Sequence, residues 1–183
     1  MKLRLVTALA LSGALLLSVS GAQAATPTMD GKKVKALTKV VNAGLAENDA
    51  DTLTDVDVKI QCPAAKCAKL AFVYKPAKGV KGGLMFTATW TNALSDFDLY
   101  AVELDKRGSA TAVGSCGSFA RATEKVYVGP SLLRSGRTYA IVIYFARSVN
   151  DTVTGKVEIN VPDSTPKTVP AVIDSKQKTN CSL

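Results

Sequence analysis

The feature that most limits what this chain can become is a series of short segments with an apolar residue at every second position. Asp55 to Ile60 sends Val56, Val58 and Ile60 to one side and Asp57 and Lys59 to the other. Leu84 to Trp90 alternates through Phe86, Ala88 and Trp90, and Gly155 to Val161 through Val157, Ile159 and Val161. A period of two marks a strand with one buried face. Two segments break the rule. Phe97 to Leu104 is apolar in both phases, with Phe97, Leu99 and Ala101 opposed to Tyr100, Val102 and Leu104, and Thr138 to Ala146 is apolar on both sides. Such strands are covered on both faces or carry a bulge. Lys69 to Tyr74, Thr111 to Cys116 and Glu124 to Val128 bring the count to about eight, separated by turn-forming stretches such as Pro76 to Gly83 and Asp105 to Ser109. With no helix–strand alternation and no repeat, the pattern predicts an all-β, two-sheet sandwich, its core built around Trp90 and Tyr139 to Phe145.

The flanks read differently. Val34, Leu37, Val41 and Leu45 recur three and four residues apart, which predicts a short helix from Lys33 to Ala46 with Lys32, Lys33, Lys35 and Lys39 on a solvated face. Glu47, Asp49, Asp51, Asp55 and Asp57 then form an acidic linker. Residues 163–183 carry Pro166 and Pro170 just after Pro162 and read as an extended tail. At the front, a basic start with Lys2 and Arg4, an apolar run and Ala22-Gln23-Ala24 have the form of a secretory signal ending near Ala24. The expected organisation is a signal peptide over 1–24, helix and linker over 25–54, the strand domain over 55–162 and the tail over 163–183.

Export sets the chemistry that is open to the chain. Loss of Lys2 and Arg4 takes the formal charge from +8 to +6, an excess that favours anionic surfaces. It forms no dense basic run with interleaved aromatics, so nucleic acid is not an expected partner, and no later segment is apolar enough to cross a bilayer. Cys62, Cys67, Cys116 and Cys181 all lie beyond the signal, and an even count in an oxidising compartment predicts two disulfides. Three connectivities exist; Cys62–Cys67 with Cys116–Cys181 is preferred, because CPAAKC has the look of a closed hairpin end. The absence of histidine weakens a zinc site and removes the ordinary Ser-His-Asp and Cys-His arrangements. Ser115 lacks a Gly-x-Ser-x-Gly context, and Asp96 with Asp98 are too close on one strand face to flank a glycosidic bond. No enzyme is expected.

The segment Thr87 to Ser109, then Glu124 to Val126, Leu133 to Tyr144 and Thr154 to Val161, resembles the bacterial pre-peptidase C-terminal domain. The resemblance rests on an Asp-x-Asp-Leu-Tyr strand (Asp96, Asp98, Leu99, Tyr100), the turn glycine Gly108, and a later Gly-x-x-Tyr element (Gly136, Tyr139, Ile141). It covers Leu84 to Val161, about half of the chain. It implies a jelly-roll-like β-sandwich serving as a non-catalytic accessory module in secreted proteins. Such domains normally follow a peptidase, whereas here a stand-alone domain is expected.

Related collagen-binding domains hold calcium with acids in the linker entering the sandwich, which makes Glu47, Asn48, Asp49, Asp51 and Asp55 the first calcium candidates here. Asp96 and Asp98 are the second set, since alternation puts both carboxylates on one strand face. The competing expectation is structural: a solvated linker, Asp96 capping the strand entry and Asp98 accepting backbone N–H groups. Tyr74, Tyr127 and Tyr144 are expected to pack rather than to form an aromatic binding platform. The function expected is binding of an extracellular polymer or protein, with calcium as candidate stabiliser; the alternatives are a partner or inhibitor of a secreted protease, or a hydrolase without a recognisable motif.

Overall fold

The computed structural model describes residues 25–47, 62, 66–116 and 122–162. They are all-β: β1 Thr28–Met29, β2 Ala36–Glu47, β3 Cys67–Tyr74, β4 Gly83–Thr89, β5 Asp96–Leu104, β6 Ala110–Cys116, β7 Thr123–Val128 and β8 Arg137–Val161, with a 3-10 turn at Pro130–Leu132. All eight belong to one mixed sheet.

The organising element is β8. The sequence predicts separate strands at 138–146 and 155–161, but the chain runs on through both as one strand of 25 residues. Fully extended it would measure about 80 Å, far more than a small domain can accommodate straight. Its first half pairs with β3 on one edge and β5 on the other, through Tyr139↔Phe72 and Ile141↔Ala101 for example. Its second half pairs with β2 and β4, through Val157↔Leu37 and Val157↔Phe86. The handover falls at Arg147 to Asp151, where Asn150 takes a positive φ of 60°, a conformation that asparagine tolerates better than most residues. Asp151 fixes that turn in place by accepting from Thr91 Oγ1 (2.9 Å), Asn92 N–H (2.9 Å) and Thr152 N–H (2.7 Å).

The two halves pack together although β3 and β4 never pair. The Phe72 and Phe86 rings are 6.3 Å apart, and Tyr139, Ile141 and Leu99 share a core with Val126, Val157 and Ile159. Trp90 and Phe97 meet edge to face at 5.2 Å, and Phe97 meets Phe145 at 5.6 Å. The other face of β5 and the first half of β8 carries a second buried cluster with Val102, Leu104, Val142 and Tyr144. Both predictions for the two-phase segment hold at once: β5 is buried on two faces, and its register shifts at Asp96/Phe97 and again at Ala101/Val102.

The predicted helix over 33–46 is not formed. Ala36–Glu47 is β2, paired antiparallel with β8 from Ala36↔Glu158 to Glu47↔Arg147. Leu37, Val41, Ala43 and Leu45 also fit a period of two, so the segment obeyed both templates. The branched side chains of Thr38, Val40 and Val41 favour a strand, and β8 supplies a ladder that a lone helix could not match. Leu45 is 77% exposed, while Ala46 packs against the core. The Asp55 to Ile60 segment lies outside the described residues, as do the signal segment and the tail.

Candidate functional site

Asp96 opens β5 and Asp98 follows two residues on, so both side chains leave the same face. Asp98 pairs in register with Tyr144, and Asp96 with Arg147. Neither carboxylate behaves as the structural expectation requires. Asp96 Oδ1 is buried with no hydrogen-bond partner, and Asp98 accepts no backbone N–H among the described residues. Burial, and then the neighbouring Asp96 charge, push the Asp98 carboxyl up to about 6. Burial also raises Asp96, against the pull of the Arg147 guanidinium. Tyr100 sits on the same face, its phenol raised by burial and by the charges of Asp98 and Glu124.

The rest of the Asp-x-Asp-Leu-Tyr and Gly-x-x-Tyr elements does structural work. Leu99 is fully buried in the main core. Its N–H donates to Oε2 of the buried Glu124 at 3.0 Å. Gly108 and Gly136 both adopt a positive φ, as their turns require. Tyr139 Oη accepts the Arg134 N–H at 2.9 Å and lies 3.3 Å from Glu103 Oε2, closing the loop that leads into β8. Tyr74, Tyr127 and Tyr144 are all buried, as ordinary packing predicts.

Of the calcium candidates, Glu47, Asp96 and Asp98 are described. Arg147 stands between two of them, in register with Glu47 on one side and Asp96 on the other. Among the described residues no group of three acids or cysteines is close enough to hold a metal ion. Asn48, Asp49, Asp51 and Asp55 lie outside them. Cys62 and Cys67 are joined as a disulfide with Cα atoms 5.3 Å apart. Cys116 ends β6, and Cys181 lies outside the described residues.

Sequence reasoning missed an open face on the second half of the sheet. Thr38, Lys156, Thr87 and Lys125 stand side by side across β2, β8, β4 and β7, and Val40, Thr154, Thr89 and Thr123 form the next row. These eight side chains are exposed or half-buried, whereas Phe86, Val126 and Val157 behind them are fully buried. Adjacent rows lie roughly 6–7 Å apart and adjacent strands about 5 Å apart, giving a lattice of hydroxyls and methyls edged by ammonium groups. Thr152 Oγ1 donates to Asn42 Oδ1 at 3.1 Å, which extends the face by a row. At its far end Lys81, Tyr127, Pro130 and Asn160 line a shallow depression of about 360 Å³. The signal was present in Thr87-Ala-Thr89 and Thr152-Val-Thr154, where threonine takes every outward place, but only the strand register shows that these pairs are neighbours.

No helix among the described residues is long and apolar enough to cross a membrane. No protein-family model matches the chain, and no curated protein matches it.

Proposed function

We propose that this chain is a secreted, non-catalytic module of the jelly-roll-like β-sandwich type, which binds an extracellular polymer or protein surface. The observation that carries this reading is the open threonine–lysine face. A sheet face left open over four strands among the described residues, rich in hydroxyl donors and acceptors and poor in large apolar groups, suits an extended polar ligand better than an enclosed small molecule. Phe72 against Phe86 across the two halves of the sheet supports the sandwich assignment. The Asp-x-Asp-Leu-Tyr and Gly-x-x-Tyr elements support the likeness to pre-peptidase C-terminal domains. Calcium enters as a stabiliser: two carboxylates on one face, one of them with a buried oxygen that has no hydrogen-bond partner among the described residues, is an arrangement that a divalent cation would relieve.

The test is co-sedimentation with peptidoglycan, chitin, cellulose and collagen, at low and high salt, with calcium or chelator. Specific binding predicts retention that survives high salt and is lost in Thr89→Glu and Thr154→Glu at unchanged melting temperature. Retention indifferent to both substitutions would move the site off this face. No retention on any matrix would sink the proposal and make inhibition of a secreted protease the next reading to assay.

A further inference from the structure

We infer that the outer edge of β2 docks a second copy of this chain, the two β2 strands pairing antiparallel about a two-fold axis at Ala43. Among the described residues the ladder partner of β2 is β8 alone. The Ile159 N–H donates to the Lys35 carbonyl at 3.0 Å, which sets the phase: odd-numbered residues bond to β8 and even-numbered ones turn their N–H and C=O outward. The outward residues Thr38, Val40, Asn42 and Gly44 are exposed, and a Cβ added at Gly44 would meet nothing within 4 Å. Proteins normally guard such an edge with proline, a bulge or a mid-strand charge. Here Val40 to Ala46 contains neither proline nor charge.

The charges stand at the two ends of this stretch instead, as Lys39 and Glu47. Pairing about Ala43 sets Lys39 of each copy opposite Glu47 of the other, twice by symmetry. The same register places Val41 opposite Leu45, Val40 opposite Ala46 and Asn42 opposite Gly44. It gives the 77%-exposed Leu45 an apolar neighbour. It also keeps the hydrogen-bond phase, since the even-numbered residues become the bonded pairs. Moving the register by two residues sets Lys39 against Leu45 and loses the charge match. Lys39 Nζ already donates to the Lys69 carbonyl at 2.9 Å and keeps two further donors for a carboxylate. If the polymer-binding reading holds, the dimer also joins two open faces into one, so binding gains by avidity; the pairing itself does not depend on that reading.

Sedimentation equilibrium of the purified chain between ~1 and ~500 µM tests the inference directly. A concentration-dependent dimer is expected. Glu47→Lys replaces two attractions by two repulsions and should weaken it about tenfold, and K39E/E47K should restore it to within about threefold. Val40→Pro removes an outward N–H and should abolish the dimer; if circular dichroism shows that this variant does not fold, the charge exchange decides. A monomer throughout the range overturns the inference. So does a dimer that survives Glu47→Lys, or a double variant no better than the single one.

Discussion

Asp98→Asn should stabilise this protein at neutral pH, although it removes a residue of the most recognisable motif. Asp98 is mostly buried, faces Asp96 and has a carboxyl raised from 3.8 to about 6. The folded state therefore holds its proton more tightly than the unfolded chain does. Stability is fully present below about pH 4, falls as the pH rises toward 6, and stays reduced above it. A shift of about two units corresponds to about 3 kcal/mol lost between those limits. An asparagine cannot ionise but is still a buried polar group costing about 1 kcal/mol or more, so the net gain at pH 8 should be about 1–2 kcal/mol. For a chain of this size that is roughly 3–8 °C in melting temperature. Thermal unfolding of both proteins from pH 4 to 8, in chelator, measures it. A variant that is less stable at pH 8, or one that keeps the wild-type slope between pH 4 and 6, would refute the reasoning. Calcium provides the companion measurement: a cation held by the pair should raise the wild-type melting temperature at pH 8 and leave Asp98→Asn unmoved.

Three other substitutions probe the frame around the site. Burial alone would raise Asp151, but donors from Asn92, Thr91 and Thr152 outweigh it and hold the carboxyl below its usual range; its contribution is thus present at neutral pH and lost on acidification, opposite in sign to Asp98. Asp151→Ala should cost about 2–4 kcal/mol in urea unfolding at pH 7, and the penalty should shrink as the pH falls through the lowered range of the folded-state carboxyl. Tyr139→Phe strips the acceptor from the Arg134 N–H and should cost about 1–2 kcal/mol; an unchanged midpoint would show that the hydroxyl does not secure the loop. Gly83→Ala would drive a Cβ into the Val128 carbonyl oxygen and the Tyr127 ring, so β4 and β7 should separate and little folded protein should be recovered.

Strand existence was legible in the sequence because one-sided burial writes itself as a period of two. Leu84 to Trp90 is the plainest case: Phe86, Ala88 and Trp90 all lie in the core. The identity of β2 was not legible, because its apolar residues satisfy two periods and the deciding partner, β8, is more than 100 residues away. The unity of β8 was hidden for a related reason. Arg147 to Asp151 has a loop's composition, yet it stays in a ladder because Asn150 absorbs the turn and Asp151 supplies the missing bonds. Asp96 and Asp98 were found from their spacing, while their lack of partners depends on what surrounds them. Glu124 could not be found at all: nothing local marks a glutamate that will reach across to the Leu99 N–H.

Arg147 connects these parts. It is the residue at which β8 exchanges its first neighbours for its second, and it faces Asp96 on one side and Glu47 on the other. Its guanidinium is exposed, so it acts on the carboxylates through a screened field and not through a tight pair. That field lowers Asp96, and a more readily ionised Asp96 in turn raises Asp98, so one arginine acts on the two acids in opposite directions. Arg147→Gln should therefore make Asp96 harder to ionise and move its share of the pH-dependent stability loss upward, most clearly at low salt. Arg147→Lys keeps the charge and should leave the profile close to wild type. In ~0.5 M salt the glutamine variant and the wild type should converge, since the Debye length there is shorter than the span of a cross-strand pair. Profiles that differ equally at both salt concentrations would mean that Arg147 acts by packing at the joint of β8, and that the acid pair ionises independently of it.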